Sequence, residues 1–389
     1  MIDIKSTYSE YIAETYSRND LVIMKAKGSE AFDENGKRYI DLGAGIAVNI
    51  LGYCDDEFAD AVAKQARTVS HTSNLYYTEP QAHLAKLICE KSGMKKVFFS
   101  NSGAEANECA IKAARKYSWD KYGEEAGRNK IICLNHSFHG RTIATISATG
   151  QSEYHKYFAP FLPGYVFVEP NDIEAMVAEA KKGDVCAIIA EIIQGEGGVN
   201  LLNTNYIKSL QTISEENDLV LIIDEVQTGN GRTGKYFAYQ NFDIKPDIVT
   251  TAKGLGGGLP IGATLFNDRL ANTLTPGTHG STFGGNPIVC AGAVSIVESI
   301  DDKLLDEVKA KSEYIFTNLR QCGGVKSVTG MGLMIGIETD KNAKEIVKLL
   351  ADRGVLVLTA KTKLRLVPAL NIPVGLLKEA IGIMKEVLQ

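Results

Sequence analysis

A single lysine stands at the end of a short apolar run, and almost no side chains follow it. The run 247–252 is rich in β-branched residues and precedes Lys253, and four of the next five residues are glycine. Lysine forms Schiff bases with carbonyl compounds, and burial lowers its pKa toward the range in which the amine reacts. Most lysines are solvated surface groups, so a reactive Lys253, which the glycines would let a bulky ligand approach, needs support from the rest of the chain.

Asp224 is the second residue whose position suggests chemistry. It lies near the end of the apolar run LVLIIDE, residues 219–225, where a buried carboxylate is unfavourable unless a cation or hydrogen-bond donors meet it. Taken alone, Asp224 could equally cap a helix or lie in a surface turn. An acid and a lysine that each end an apolar run favour a shared ligand more strongly than either residue does alone.

Short apolar runs alternate with helical patterns through the middle of the chain. We predict strands at Lys96–Ser100, Lys130–Asn135, Cys186–Glu191, Leu219–Glu225, Ile248–Lys253 and Gly262–Asn267. We predict helices between several of them, at about 104–120, 172–182 and 204–217. Continuous apolar runs between helices are typical of strands buried on both faces of a mostly parallel sheet, so the sequence predicts an α/β fold.

The two ends of the chain differ in pattern from the middle. Residues 1–55 indicate a short helix and a hairpin with a tight Asn35-Gly36 turn, and residues 288–389 mix helical and strand-like segments. We therefore predict a large ligand-binding domain over 56–287 and a smaller α+β domain over 288–389, to which the N-terminal segment contributes.

Ligands bind at the carboxyl ends of the strands in parallel α/β sheets, so the residues after each run are candidate contacts. The first run leads into a helix start at 101–104, where N–H groups favour an anion. Phe138 and Arg141 follow the second run, and Glu196 follows the third between glycines. Each could be ordinary, as a core ring, a surface ion pair or a turn acid, but together they offer complementary chemistry.

Pyridoxal 5'-phosphate is a cofactor that uses the whole set. Its phosphate suits the N–H groups of Ser102, Gly103 and Ala104 at the helix start, and its aldehyde suits the lysine. Its ring suits stacking on Phe138. Asp224 would keep the pyridine nitrogen protonated and so make the ring an electron sink.

Six motifs resemble those of the class III, or ornithine-type, pyridoxal-phosphate aminotransferases, and they occur in the family's order. They are NSGAEANE, FHGRT, IQGEGG, DEVQTGNGRTG, AKGLGGGLPIGA and HGSTFGGNP. The resemblance runs from about Gly28 to the C-terminus. It implies the type I fold, with a seven-stranded, mostly parallel large domain and a small α+β domain, assembled as a homodimer.

The resemblance implies that Lys253 binds the cofactor covalently and that Asp224 pairs with its pyridine nitrogen, which makes these two the catalytic residues. The other implied cofactor contacts are Ser102, Gly103, Ala104, Phe138, Glu225, Val226, Gln227 and Thr282 of the partner subunit. Ala104 stands where many members have threonine, so a hydroxyl contact to the phosphate is lost while the N–H remains.

The resemblance also implies the substrate contacts. Arg141 would bind the carboxylate of the amino donor, and Arg365 a carboxylate of 2-oxoglutarate. Glu196 would pair with Arg365 when no diacid is present, and Ser281 of the partner subunit would lie beside the substrate.

The implied donor has a terminal amine at one end and a carboxylate at the other. Ornithine, N-acetylornithine, succinylornithine, N-succinyldiaminopimelate and 4-aminobutyrate all meet that description. Ile46 stands where ornithine-specific members have tyrosine, and an apolar residue suits an acylated amine better than a charged one. This favours N-acetylornithine, a donor of arginine biosynthesis.

Two other classes of protein compete with this interpretation. Gly229, Gly231 and Gly234 spell GxGxxG and suggest a nicotinamide-dependent oxidoreductase, but two acids precede them and no clear helical pattern follows. A regulator that only binds pyridoxal phosphate would not need two carboxylate-binding arginines. His136 and His139 lack further ligand-type neighbours, so we predict no metal site.

The composition excludes several partners. The net charge is −5 and the pI about 5.8, which gives no basic field for nucleic acid. No apolar run approaches the ~18 residues that a membrane span needs, and the first twenty residues lack the apolar core of a signal peptide. Seven scattered cysteines without CxxC pairs suit a reducing compartment, so we expect a cytoplasmic protein.

Overall fold

The computed structural model describes residues 2–389, which form one large sheet flanked by helices and smaller sheets built from the two chain ends. The helices are α1 Ile4–Tyr11, α2 Ala44–Ala47, α3 Asp56–Thr68, α4 Glu79–Ser92, α5 Gly103–Tyr122, α6 Ile143–Ala148, α7 Ile173–Ala180, α8 Thr204–Glu216, α9 Pro287–Ser299, α10 Asp302–Arg320, α11 Ala343–Asp352 and α12 Val374–Leu388. Short 3₁₀ turns lie at Glu124–Ala126, Ser152–Tyr154, Ala238–Asn241 and Lys253–Gly256.

The strands fall into three larger sheets and one short pair. They are β1 Ile23–Lys27, β2 Glu30–Asp33, β3 Arg38–Asp41, β4 Lys96–Ser100, β5 Lys130–Leu134, β6 Tyr165–Val168, β7 Val185–Ala190, β8 Ile193–Gln194, β9 Asn200–Leu201, β10 Val220–Asp224, β11 Ile248–Thr251, β12 Gly262–Phe266, β13 Val325–Met331, β14 Met334–Thr339, β15 Val355–Leu356, β16 Leu358–Ala360 and β17 Lys363–Leu366.

The central sheet has seven strands in the order β4-β12-β11-β10-β7-β5-β6. Only β12 runs antiparallel to its neighbours, so the predicted α/β fold with a mostly parallel sheet is confirmed. All six predicted runs form strands of this sheet. The seventh strand, β6, was not predicted, because it is a four-residue edge strand with only Val168 fully buried and therefore lacks a continuous buried run.

Helix α5 lies across this sheet and fixes one edge of the site. Its buried face is built mainly of small residues such as Ala106, Ala110 and Ala114, which allow a long helix to approach the strands closely. Ser102 caps its N-terminus and accepts a hydrogen bond from the N–H of Glu105 at 3.2 Å.

The chain ends pair with each other. Strands β1, β2 and β3 form a sheet with β15, and the β2–β3 hairpin turns at Gly36, whose φ of +76° suits glycine. The run MGLMIGIE, residues 331–338, is divided by a turn between β13 and β14, which form a second sheet with β17 and β16. The division into domains at 55 and 287 remains a prediction, although the β3–β15 pairing joins the N-terminal segment to the C-terminal part.

None of the helices described within residues 2–389 combines the length and the apolar character that crossing a membrane requires.

Candidate active site

A cavity of about 510 Å³ lies at the carboxyl ends of the central strands. Nine of the residues predicted for the site line it: Ser102, Gly103, Ala104, Phe138, Arg141, Asp224, Val226, Gln227 and Lys253. Sequence-distant segments therefore converge here because strands of the same direction end at the same edge of the sheet.

Lys253 enters this cavity from a strained turn just after β11. Its φ is +42°, a left-handed conformation that is unfavourable for a residue with a side chain. Burial lowers the pKa of the Lys253 amine to about 8, although the Glu196 carboxylate opposes that shift. The neutral, nucleophilic fraction of this amine near neutral pH is therefore much larger than that of an ordinary lysine.

The glycines after Lys253 serve packing more than ligand access. A Cβ on Gly254 would lie 2.5 Å from Cδ1 of Ile50, and one on Gly257, where φ is +55°, would lie 2.8 Å from Cδ1 of Ile296. Only Gly258 of the four lines the cavity. The expectation that the glycines leave room for a bulky ligand thus applies to Gly258, whereas close packing contacts explain Gly254 and Gly257.

Asp224 is almost fully buried, and hydrogen-bond donors meet both of its oxygens. Nδ1 of His139 lies 2.8 Å from Oδ2, and Nδ2 of Asn107 donates to the same oxygen at 2.7 Å. The N–H of Val226 donates to Oδ1 at 3.0 Å. Asn107 is held in turn by Thr250, whose hydroxyl donates to its Oδ1 at 2.7 Å. This network compensates the burial of a carboxylate and fixes its orientation at the cavity wall.

The start of α5 presents backbone N–H groups to the cavity. The N–H groups of Gly103 and Ala104 donate to no acceptor within residues 2–389, as is usual for the first turn of a helix. Glu105 accepts hydrogen bonds from the backbone and side-chain nitrogens of Asn101, which fixes the preceding loop. The arrangement is suited to a phosphate.

The buried Arg365 and the partly buried Glu196 form an ion pair beside this cavity. Nη1 of Arg365 lies 2.5 Å from Oε1 of Glu196, and Gln227 contacts both, accepting from Arg365 at 3.2 Å and donating to Glu196 at 3.4 Å. Burial alone would raise the pKa of Glu196, but the guanidinium outweighs it and the net pKa lies below the usual value. The pair is therefore charged, and a diacid would have to displace Glu196 to reach Arg365.

The class-III aminotransferase family matches residues 11–388. The chain belongs to the class-III aminotransferases. It is 50% identical over 387 residues to the acetylornithine aminotransferase of Haemophilus ducreyi, which covers 99% of this chain and 98% of that protein.

The fold agrees with solved structures of the same class. The ornithine aminotransferase of Toxoplasma gondii superimposes with a TM-score of 0.95 at 31% identity, over 99% of this chain and 94% of that one. The N-acetylornithine aminotransferase of Stenotrophomonas maltophilia does so with a TM-score of 0.84 at 33% identity, over 98% and 97% of the two chains. The predicted type I fold is thus confirmed.

Class-III aminotransferases depend on pyridoxal 5'-phosphate, so the predicted cofactor is confirmed as well. The cavity of this aminotransferase fits the cofactor: free N–H groups suit a phosphate, Phe138 and Val226 suit the faces of a ring, and a buried amine suits a carbonyl. Two buried acids also line the cavity, and the donors around Asp224 fix it as an oriented negative charge.

Glu191 is an acid of this site that sequence reasoning missed. It follows β7 directly, lines the cavity and is 5% exposed. Its two oxygens accept hydrogen bonds from the N–H groups of Phe138 at 2.8 Å and Gly195 at 3.3 Å. Burial, and then the charge of Asp224, raise the pKa of Glu191 well above its usual value. The residue ties together the loops that bear the predicted substrate contacts.

Three predicted site residues lie elsewhere in this aminotransferase chain. Glu225 is fully buried behind the cavity, where it accepts hydrogen bonds from the Thr228 hydroxyl and the Tyr239 N–H, and burial raises its pKa to about 7. This position indicates a structural task, not a cofactor contact. Ser281 accepts from Nδ2 of Asn101 at 3.1 Å, and Thr282 lies outside the cavity. Their predicted contacts belong to a neighbouring subunit and stay predictions.

The missed residues had signals within the quoted motifs. Asn107 lies four residues after Gly103 in NSGAEANE, so helical spacing places it on the cavity side of α5. His139 follows Phe138 in FHGRT and so lies at the same strand end as two predicted contacts, where it forms a hydrogen bond with Asp224. Among residues 2–389, which the structure describes, no three or more His, Cys, Asp or Glu side chains form a group that could hold a metal ion.

Proposed function

We propose that this aminotransferase moves the terminal (δ) amino group of N2-acetyl-L-ornithine to 2-oxoglutarate. The products would be N-acetylglutamate 5-semialdehyde and glutamate, as in arginine biosynthesis. The observation that carries the proposal is the 50% identity, over nearly the full length of both chains, to the acetylornithine aminotransferase of Haemophilus ducreyi. The main alternative is a related ω-amino donor, since the Toxoplasma gondii structure of similar fold is an ornithine aminotransferase at 31% identity.

Position 46 supports an acylated donor. Ile46 lies in a left-handed turn with a φ of +63°, is 43% exposed, and precedes by two residues the cavity-lining Val48. An apolar side chain there offers no counter-charge for a free α-ammonium group.

Lys253 is the group that moves protons. When bound, pyridoxal phosphate supplies a carbonyl for the donor's amine and a ring that withdraws electrons. With a pKa near 8, the Lys253 amine is sufficiently neutral to attack a carbonyl and to accept a proton from the donor's terminal carbon. Asp224 holds a fixed negative charge for the ring nitrogen, with His139 and Asn107 keeping its carboxylate in place.

The two arginines divide the carboxylates between them. Arg141 faces the cavity with no ion-pair partner among residues 2–389, so it is available to a donor with one carboxylate. Arg365 is masked by Glu196 for such a donor and is released for a diacid such as 2-oxoglutarate. One cavity can thereby bind both substrates in turn.

A panel of donors tests this function. We expect the highest kcat/KM for N-acetylornithine when it is compared with ornithine, succinylornithine, N-succinyldiaminopimelate and 4-aminobutyrate, each with 2-oxoglutarate. An Ile46→Tyr variant is expected to shift the ratio toward ornithine. A wild-type preference for ornithine of about tenfold, which corresponds to about 1.4 kcal/mol, would contradict the proposed donor.

We further propose a homodimer in which Ser281 and Thr282 complete the site of the partner subunit. Mixed dimers of two variants offer a direct test. Lys253→Ala inactivates its own site, and Thr282→Ala impairs the neighbouring one. A mixed dimer of the two variants then has one intact site, so activity should rise above that of either parent. Additive parental activity would contradict the shared site.

We also propose that the enzyme works in the cytoplasm. All seven cysteines are free thiols, including five buried ones, which suits a reducing compartment.

A further inference from the structure

Tyr154 contacts the side chain that is proposed to bind the donor. The guanidinium carbon of Arg141 lies 4.5 Å from the centroid of the Tyr154 ring and 5.8 Å from that of Phe138. The two rings themselves meet edge to face, with centroids 5.4 Å apart. Arg141 is therefore placed by aromatic rings, and the nearer of them belongs to a residue outside every quoted motif.

Stacking places a guanidinium without using its hydrogen-bond donors. The N–H groups of arginine lie in the plane of the group, whereas the ring attracts it through its face. Within residues 2–389, Arg141 makes no ion pair and no side-chain hydrogen bond, although its side chain is exposed. If an acidic side chain held the arginine, some of its N–H groups would already be paired. If nothing held it, the side chain would lose more conformational entropy on binding a carboxylate.

The turn that bears Tyr154 is fixed to the loop that bears Arg141. Gln151, which is 2% exposed, donates from Nε2 to the carbonyl oxygen of Ser137 at 3.0 Å, and the N–H of Gly150 donates to the Ser137 hydroxyl at 3.1 Å. The N–H of Tyr154 then closes the turn on the carbonyl of Gln151 at 3.1 Å. Buried hydrogen bonds thus hold the ring and the guanidinium in register.

A second tether, the ion pair between Glu153 and Lys361, joins this turn to the connection between β16 and β17. Both side chains are substantially exposed, and exposed pairs contribute little. The hydrogen bonds of Gln151 are therefore the main support. Burial raises the pKa of the Tyr154 phenol, the Glu196 charge raises it further, and the charges of Arg141 and Arg365 lower it.

We infer that Tyr154 is a positioning residue. Its ring stacks on Arg141 and orients the free N–H groups of the Arg141 guanidinium toward the carboxylate of the amino donor. The inference rests on the proposed function. It makes Tyr154 a determinant of carboxylate recognition, and it predicts that the ring's face matters while its hydroxyl does not.

Donor half-reactions of the holoenzyme test this in single turnovers. Tyr154→Leu removes the π face but keeps apolar bulk, and should raise the half-saturating concentration of N-acetylornithine about three- to thirtyfold, with the limiting rate nearly unchanged. Tyr154→Phe should behave as wild type. Tyr157→Leu is the matched control, because this exposed tyrosine lies three residues further on and does not stack on Arg141.

A donor without the carboxylate separates positioning from general damage. N-acetylputrescine lacks only that group, so the Tyr154→Leu penalty should vanish with it. Binding of N-acetylnorvaline, which has the carboxylate but no terminal amine, should weaken by the same three- to thirtyfold factor in calorimetry. An equal penalty with both amine donors, or a wild-type response of Tyr154→Leu, would overturn the inference. If the wild-type enzyme were inactive toward N-acetylornithine, the proposed function would be refuted instead. The calorimetric comparison of N-acetylnorvaline binding would still test the role of Tyr154.

Discussion

At the scale of single residues, the proposed catalytic groups are two ionisable side chains that the fold places in unusual surroundings. Burial lowers the pKa of Lys253 to about 8, while three donors stabilise the buried Asp224. Both positions follow from the sequence, because each ends an apolar run. Their partners His139 and Asn107 lie within quoted motifs, but the sequence does not show that they contact Asp224, since a hydrogen bond between distant segments leaves no pattern along the chain.

The lowered pKa of Lys253 predicts a specific pH dependence of its reactivity. In the cofactor-free protein the neutral amine fraction should rise as the pH increases through about 8, whereas ordinary lysines require about 10.4. Trace acetylation followed by peptide mapping across a pH series measures this midpoint for each lysine. A Lys253 midpoint that coincides with that of the surface lysines would contradict the burial of the amine.

Asp224→Asn tests the fixed negative charge while keeping the shape of the side chain. We expect the cofactor to remain bound, because the contacts at the start of α5 are unchanged. The proton-transfer step should slow by at least ~10²-fold in both half-reactions, the scale of a lost catalytic charge or proton-transfer group. Rapid-kinetic measurement of each half-reaction decides the matter, and rates equal to wild type would remove Asp224 from the mechanism.

At the scale of elements, the strand ends were the predictable part. Six runs identified the strands whose ends converge, and the helix start at 102–104 followed from a capping serine and glycine. The sequence did not reveal β6 or the 3₁₀ turn that bears Tyr154, because short, half-exposed elements have little hydrophobic periodicity. Close contacts, such as that of Gly254 with Ile50, also needed the structure.

Gly103 shows how an element meets the cavity, and it supplies a prediction at this scale. A Cβ on Gly103 would lie 2.7 Å from Cγ1 of Val226, so Gly103→Ala should push Val226 into the cofactor space. We expect weaker cofactor binding, by about 1–3 kcal/mol, the usual effect of overpacking. Equilibrium titration of the cofactor-free protein measures it.

Two further variants complete that experiment. Val226→Ala in the Gly103→Ala background should restore much of the affinity by making room. Gly382→Ala is the matched control, because that exposed glycine inside α12 has open space around it, and the change should stabilise the fold by about 0.5–1 kcal/mol. Unaltered cofactor affinity in Gly103→Ala would show that the helix start tolerates the extra methyl group.

At the scale of the whole molecule, the two arginines proposed to bind the substrates come from different parts of the chain. Arg141 follows β5 of the central sheet, whereas Arg365 lies in β17 of a sheet formed by the C-terminal part. Glu196 and Gln227, both from the central part, meet Arg365 across this boundary. The proposed switch between one and two carboxylates would therefore depend on how these parts of the chain are joined.

Lysine substitutions separate the two arginines, because lysine keeps the charge but loses the two-pronged geometry. Glutamate and 2-oxoglutarate have two carboxylates and should need both arginines, whereas N-acetylornithine has one and should need only Arg141. Arg365→Lys should weaken 2-oxoglutarate by about 1.5–3 kcal/mol, the scale of a hydrogen bond to a charged group, and leave the N-acetylornithine half-reaction nearly intact. Arg141→Lys should impair both. Single-turnover titrations with each substrate give the comparison. Equal impairment of both half-reactions by Arg365→Lys would mean that the pair with Glu196 holds the parts of the molecule together and does not select the acceptor.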